Sequence, residues 1–114
     1  MRDFRLAAVS MNGRLGEPAP VLDEIEQWTR KASDQGAELV LFPELVVHGH
    51  CTPNTYALAE TVPDGPSTRR LCEMAAEHGV TLCVGMSEKE NDLVFNAQVL
   101  AGPDGYLGKQ RKIH

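Results

Sequence analysis

The sequence has no excess of positive charge, no cysteine framework and no apolar run of membrane-spanning length, and each absence removes a class of protein. Lys and Arg together number 11 against 16 Asp and Glu, a formal net charge of -5, so a nucleic-acid partner held through phosphate contacts is not expected. The one basic cluster, Lys109 to Lys112, comes at the end. Cys51, Cys72 and Cys83 are an odd number with no metal-ligand spacing among them, which argues against a disulfide scaffold. Arg2-Asp3-Phe4-Arg5 follows Met1 without a long apolar run, so neither a signal peptide nor a membrane segment is expected, and the cytosol is the default location. No glycine-rich G-x-G-x-x-G loop follows the first apolar segment, which leaves a phosphate-binding doubly wound domain without support. Tandem repeats, low-complexity tracts and internal linkers are missing as well.

What is present is ordinary for one soluble globular domain over residues 1–114, with 42% hydrophobic and 24% charged residues. Its most informative stretch is Ala37-Glu38-Leu39-Val40-Leu41-Phe42-Pro43-Glu44-Leu45. Leu39 to Phe42 is a continuous apolar run bounded by Gly36 and Pro43, the pattern of a strand buried on both faces. Proline ends it, having no N–H for a ladder and holding Phe42 extended. Glu44 is thereby delivered at the carboxyl end of a parallel strand, where open α/β sheets place ligand crevices. Burial beside Val40, Phe42, Leu45 and Val46 would raise its pKa and let it exchange protons near neutrality. The plain alternative is a surface glutamate just past a strand end, and this stretch alone does not choose between them.

Around it the chain alternates. Phe4 to Met11 reads as a first strand. From Pro20 the period becomes helical, with Leu22, Ile25, Trp28 or Thr29, and Ala32 on one face and Gly36 just past the end. After Glu44, residues Leu45 to Tyr56 show no period and read as a long functional loop, with a short helix possible from Thr52-Pro53-Asn54. The turn cluster Val62 to Ser67 precedes a second helix, whose Leu71, Met74 or Ala75, and His78 share a face before Gly79 stops it. Val80 to Met86 is a third strand. Leu93 to Ala101 and Tyr106 to Lys109 flank Gly102-Pro103-Asp104-Gly105, a hairpin signal. The order is β-α-β-α-β and then an antiparallel hairpin. Two helices on one side would leave the other face of the sheet to be covered from outside this sequence; helices on opposite faces are the alternative.

Several short motifs now stand in order: Leu41-Phe42-Pro43-Glu44-Leu45 with Gly49, Pro63-Asp64-Gly65-Pro66, Val84-Gly85 leading to Glu88, Phe95-Asn96, Pro103-Asp104-Gly105, and Gly108-Lys109-Gln110-Arg111-Lys112-Ile113-His114. In these the chain resembles the nitrilase superfamily of carbon-nitrogen hydrolases over essentially its whole length. The resemblance implies an α/β fold, the α-β-β-α sandwich, of which this chain would hold the N-terminal part with four to five strands and two to three helices. It implies hydrolysis of a small amide, nitrile or carbamoyl substrate by a Glu-Lys-Cys triad through a thioester, with no cofactor and no metal, in a homo-oligomeric full-length protein. By motif, Glu44 matches the general base and Lys112 the lysine that stabilises the oxyanion. The nucleophilic cysteine follows the lysine in this family, and the sequence stops at His114, before it. The chain alone is therefore expected to be inactive. Arg111 and His114 are assigned a supporting place rather than a catalytic one.

Two rival readings use the same residues. His48, His50 and Cys51 with Glu44 could supply zinc ligands, although no second ligand pair stands at zinc-site spacing; His50 also replaces a tyrosine common in the family. Cys51 is the only loop cysteine, but it follows Glu44 too closely to match the family nucleophile, while Cys72 in a helix and Cys83 in a strand read as small hydrophobes. At the level of the whole chain, the alternative is a non-catalytic α/β module that binds a partner chain through its open sheet face.

Overall fold

The structure, a computed structural model, describes residues 3–12, 14, 16–49 and 55–112. Five strands form one mixed sheet in the order of the chain: β1 (Leu6–Ala8), β2 (Leu39–Leu41), β3 (Thr81–Glu90), β4 (Leu93–Gly102) and β5 (Gly105–Arg111). The first three run parallel, with Ala7 opposite Val40 and Val40 opposite Leu82. The last three are antiparallel, with Val84 opposite Val99 and Val99 opposite Lys109. Helices α1 (Pro18–Asp34) and α3 (Pro66–His78) make the two crossovers, and α2 (Thr55–Leu58) is a single turn.

Because β1, β2 and β3 lie side by side in chain order, two right-handed crossovers must place both helices on the same face. They pack together there: Ser33 Oγ donates to the carbonyl of His78 at 2.9 Å, and Arg70 pairs with Asp23 and Glu26 of α1. The expectation of helices on one side is thus met, and the opposite-face alternative is not. Val21, Leu22 and Ile25 of α1, with Leu71, Met74 and Ala75 of α3, close over Val40, Leu82, Val84, Val99 and Ala101 in one core. Side chains of this size, fully buried, contribute about 1.5–3 kcal/mol each through the surface removed from water. On α1 the choice between Trp28 and Thr29 falls to Thr29, buried with its hydroxyl on the carbonyl of Ile25, while Trp28 stays 37% exposed.

The other face lacks such a layer among the described residues. Leu6, Leu39 and Thr81 share it by register, as do Ala8, Leu41, Cys83 and Leu100. Leu39 and Leu41 are only partly covered and Leu6 is 54% exposed. The strand Leu39 to Leu41 is therefore buried on one face, not both. One α layer and one β layer of the expected sandwich are present among the described residues.

β1 and β3 depart furthest from the sequence reading. β1 is three residues rather than eight, although Val9 N–H still reaches the carbonyl of Leu41 at 2.9 Å. β3 runs on past Met86 to Glu90 and pairs with β4 along its whole length. Ser87-Glu88-Lys89-Glu90 is too polar to resemble a strand, and its place in the sheet is explained by partners on β4 and β5 and by the backbone of Glu60, which bonds to Ser87 and Lys89 on the other edge.

Candidate active site

Glu44 lies in a turn, residues 44–48, immediately beyond β2. Phe42 still joins the sheet, its N–H donating to the carbonyl of Cys83 at 2.9 Å. Then Pro43 breaks the ladder, and the chain folds over β3 so tightly that Val47 N–H reaches the carbonyl of Gly85 at 3.2 Å. A Cβ on Gly85 would overlap the backbone nitrogen of Leu45 and stand 2.6 Å from the carbonyl oxygen of Pro43. Only glycine admits this approach. Leu45 takes φ 53, a left-handed conformation that costs a non-glycine residue about 1–3 kcal/mol and is held only when its surroundings impose it. Here the surroundings do so: Val46 and Val47 enter the core on one side of the turn, and Glu44 is left on the other.

Lys112 follows β5, and its N–H donates to the carbonyl of Asn96 at 2.8 Å. Arg111 points to the helical face of the sheet, where it meets Glu88, so strand alternation turns Lys112 to the outer face. There its Nζ lies 3.2 Å from Oε1 of Glu44. The two residues matched by motif, far apart in sequence, meet as an ion pair. Their side chains are 44% (Glu44) and 51% (Lys112) exposed. An exposed pair of this kind contributes at most about 1 kcal/mol to stability, so the arrangement is not explained as a fold-holding contact. The expected burial of Glu44 is not found. Val40, Phe42 and Val46 belong to the core on the helical side and do not enclose the carboxylate.

His48 takes a structural place instead of a metal-binding one. It is fully buried, its Nδ1 accepting from Ser87 N–H at 3.0 Å and its Nε2 lying 2.8 Å from Oε2 of Glu60. A backbone N–H can only donate, so the proton sits on Nε2 and is given to Glu60. Both ring nitrogens are committed, which removes His48 from the zinc set weighed above. His50, Cys51 and His114 lie outside the described residues. Glu60 in turn caps α3, accepting from Ser67 N–H at 2.7 Å and Ser67 Oγ at 2.5 Å where Gly65 offers no capping side chain. The turn bearing Glu44 is thus tied through His48 to β3 and to the start of α3. This network was not read from the sequence; its only signal was a histidine four residues past the glutamate.

Of the other cysteines, Cys72 is a free thiol on α3, and burial followed by the neighbouring charge of Glu73 pushes its pKa up, which disfavours the thiolate. Cys83 is a free thiol on the outer face, accepting from Gln98 Nε2 at 3.4 Å.

Two carboxyls, Glu60 partly buried and Glu88 fully so, hold charge in the same region. Burial works to raise the pKa of Glu60, but hydrogen bonds from His48 and Ser67 outweigh it and hold the group below its ordinary value. Glu88 behaves alike: burial opposes ionisation, and Arg111 and Lys109 more than offset it. Carboxyls lowered in the folded chain bind protons more readily once it unfolds. Their stabilisation is complete above the ordinary value of 4.5 and is lost as pH falls through the lower folded values. The thermal midpoint is expected to fall more steeply below about pH 4.5, and Glu88→Gln to flatten part of that fall. A midpoint unchanged between about pH 5 and pH 3 would contradict the assignment.

Known proteins share the sequence pattern and the fold of this chain. The chain is 36% identical over 113 residues to a nitrilase from Pyrococcus abyssi, covering 96% of this chain and 43% of that protein. Among solved structures, a CN-hydrolase superfamily protein from Xanthomonas campestris with an arsenic adduct in its active site superposes with a TM-score of 0.88 at 28% identity, over 100% of this chain and 42% of the other. An amidase from Nesterenkonia sp. superposes with a TM-score of 0.86 at 26% identity, over 97% and 43%; a double mutant of that amidase is known in complex with acrylamide. The chain spans less than half the length of each of these proteins. Residues 5–114 match the carbon-nitrogen hydrolase family, and with that match over nearly its whole length this chain belongs to the carbon-nitrogen hydrolases.

Proposed function

We propose that residues 1–114 are the amino-terminal part of a hydrolase of small amides or nitriles, and that Glu44 and Lys112 are two of its three catalytic groups. The observation carrying this reading is the 3.2 Å approach of Lys112 Nζ to Glu44 Oε1 on the outer face of the sheet. The third group is a cysteine from sequence beyond His114. An amide carbon is a weak electrophile, so a thiolate attacks it and forms a thioester that water hydrolyses more readily. Glu44 takes the thiol proton, returns it to the leaving amine, and then draws a proton from the attacking water. Lys112 faces the oxygen on which negative charge develops in each tetrahedral intermediate. Next to the carboxylate, the ammonium also offsets the cost of enclosing either charge once the rest of the protein covers this face.

The acrylamide complex of the Nesterenkonia amidase supports a small amide as the substrate class. In the whole protein, Lys112→Ala is expected to lower kcat on such an amide by about 10²–10³-fold, measured by ammonia release under saturating substrate. Unchanged turnover would remove Lys112 from the chemistry.

A partner-binding module without catalysis is the second reading, favoured by the exposure of Leu6 and the partial exposure of Leu39 and Leu41. Size-exclusion of the 114-residue chain at several concentrations separates them in part, because a stable, folded monomer counts against a surface that needs a partner.

A further inference from the structure

We propose that Glu88 is a positioning residue for Lys112: from the helical face it grips Arg111 and so decides which of two adjacent cations reaches Glu44. The proposal rests on the reading of Glu44 and Lys112 as the catalytic pair.

Arg111 and Lys112 are neighbours at the end of β5, and strand alternation sends them to opposite faces. Either cation could pair with Glu44. A slip of one residue would exchange them, putting a guanidinium against Glu44 and the ammonium among the helices. The hairpin turn does not exclude such a slip by itself, since the register between β4 and β5 is interrupted by a bulge at Leu100/Ala101 before the strand reaches its end. Something past the bulge must set the register again.

Glu88 is built for that. Its side chain is 1% exposed, on the helical face opposite Phe95. Arg111 Nε donates to Oε1 at 2.8 Å and Arg111 Nη2 to Oε2 at 3.1 Å, a two-point grip that fixes the direction and the plane of the guanidinium. The guanidinium lies 3.8 Å above the ring of Phe95, so the clasp crosses β4 over an aromatic floor. Lys109, two residues earlier on the same face of β5, also donates to Glu88 Oε2. One carboxylate therefore holds two alternate residues of the strand, and the residue that follows is turned outward to Glu44. Apolar residues in place of the whole cluster of Glu88, Lys109 and Arg111 would serve stability as well as the buried ion pairs do. Lysine, unlike arginine, would offer a single point of contact and leave the rotation of the strand end free.

The test uses the whole protein with Glu88→Gln, Arg111→Lys, the double variant and Lys112→Ala. Measurements are kcat and KM on a small amide, with competent sites counted by the acylation burst so that misfolded protein is discounted. Glu88→Gln and Arg111→Lys are each expected to lower kcat per competent site by about 10–100-fold with KM little changed, the effect of displacing a catalytic group by roughly 1 Å. The double variant should fall no further than the worse single variant, as two parts of one unit do. If Lys112→Ala lowers kcat by about 10²–10³-fold while Glu88→Gln and Arg111→Lys keep kcat per site within about twofold, Glu88 is merely structural and the proposal is overturned. Losses that multiply in the double variant also overturn it. Full turnover in Lys112→Ala defeats the catalytic reading itself and this proposal with it. Arg111→Lys keeps every formal charge and serves where Glu88→Gln fails to fold.

Discussion

Glu44→Gln in the whole protein is expected to lower kcat for a small amide by about 10²–10⁴-fold, the range that a positioned general base supplies. Glutamine has the same shape, and its carbonyl oxygen can still accept from Lys112 Nζ, so the contact at 3.2 Å has a substitute. What it cannot do is take a proton from a thiol or from water. Because both partners are half exposed, the substitution removes at most about 1 kcal/mol of ion-pair stability. The thermal midpoint should therefore stay near that of the parent protein while activity collapses. If Glu44 were only a surface glutamate past a strand end, both quantities would stay put; a loss of activity matched by a loss of fold would point to a structural role.

The second large effect is expected at Gly85→Ala. The new methyl would collide with backbone atoms of the turn, the nitrogen of Leu45 and the carbonyl oxygen of Pro43, and with the amide oxygen of Gln98. Backbone cannot rotate away as a side-chain tip can. Overpacking of this kind costs about 3 kcal/mol or more when neither wall yields. If the turn yields instead, Glu44 is lifted from Lys112 by roughly 1 Å, which costs on the order of 10²-fold in rate. Either the denaturation midpoint or kcat must drop. A Gly85→Ala protein with parental stability and parental kcat would show that the close passage of the turn over β3 is not what sets Glu44.

How much of this was legible beforehand differs from residue to residue. The β2 strand and the position of Glu44 at its exit were legible because an apolar run bounded by glycine and proline has few other solutions. The burial of Glu44 was misjudged for a local reason. Apolar neighbours in sequence do not enclose a side chain when the turn sends Val46 and Val47 into the core and the carboxylate to the opposite side. The choice of one helical face required the strand order, which apolar periodicity does not carry. Lys112 looked like part of a basic tail, and only the family motif singled it out. Glu88 stood in that motif without a role, since its meaning depends on Arg111 and Lys109, which approach it across β4. His48 was read as a possible ligand because a sequence does not reveal that both ring nitrogens are already taken.

The most direct measurement is peptide mapping by mass spectrometry of the whole protein, acid-quenched while it turns over a small amide. The acyl group is expected as a thioester on a cysteine that follows His114, with Cys51, Cys72 and Cys83 unmodified, and the 114-residue chain alone is expected to show no hydrolysis. An acyl group on Cys51, or hydrolysis by the 114-residue chain that Cys51→Ala abolishes, would contradict a site in which Glu44 and Lys112 serve a sulfur supplied from elsewhere.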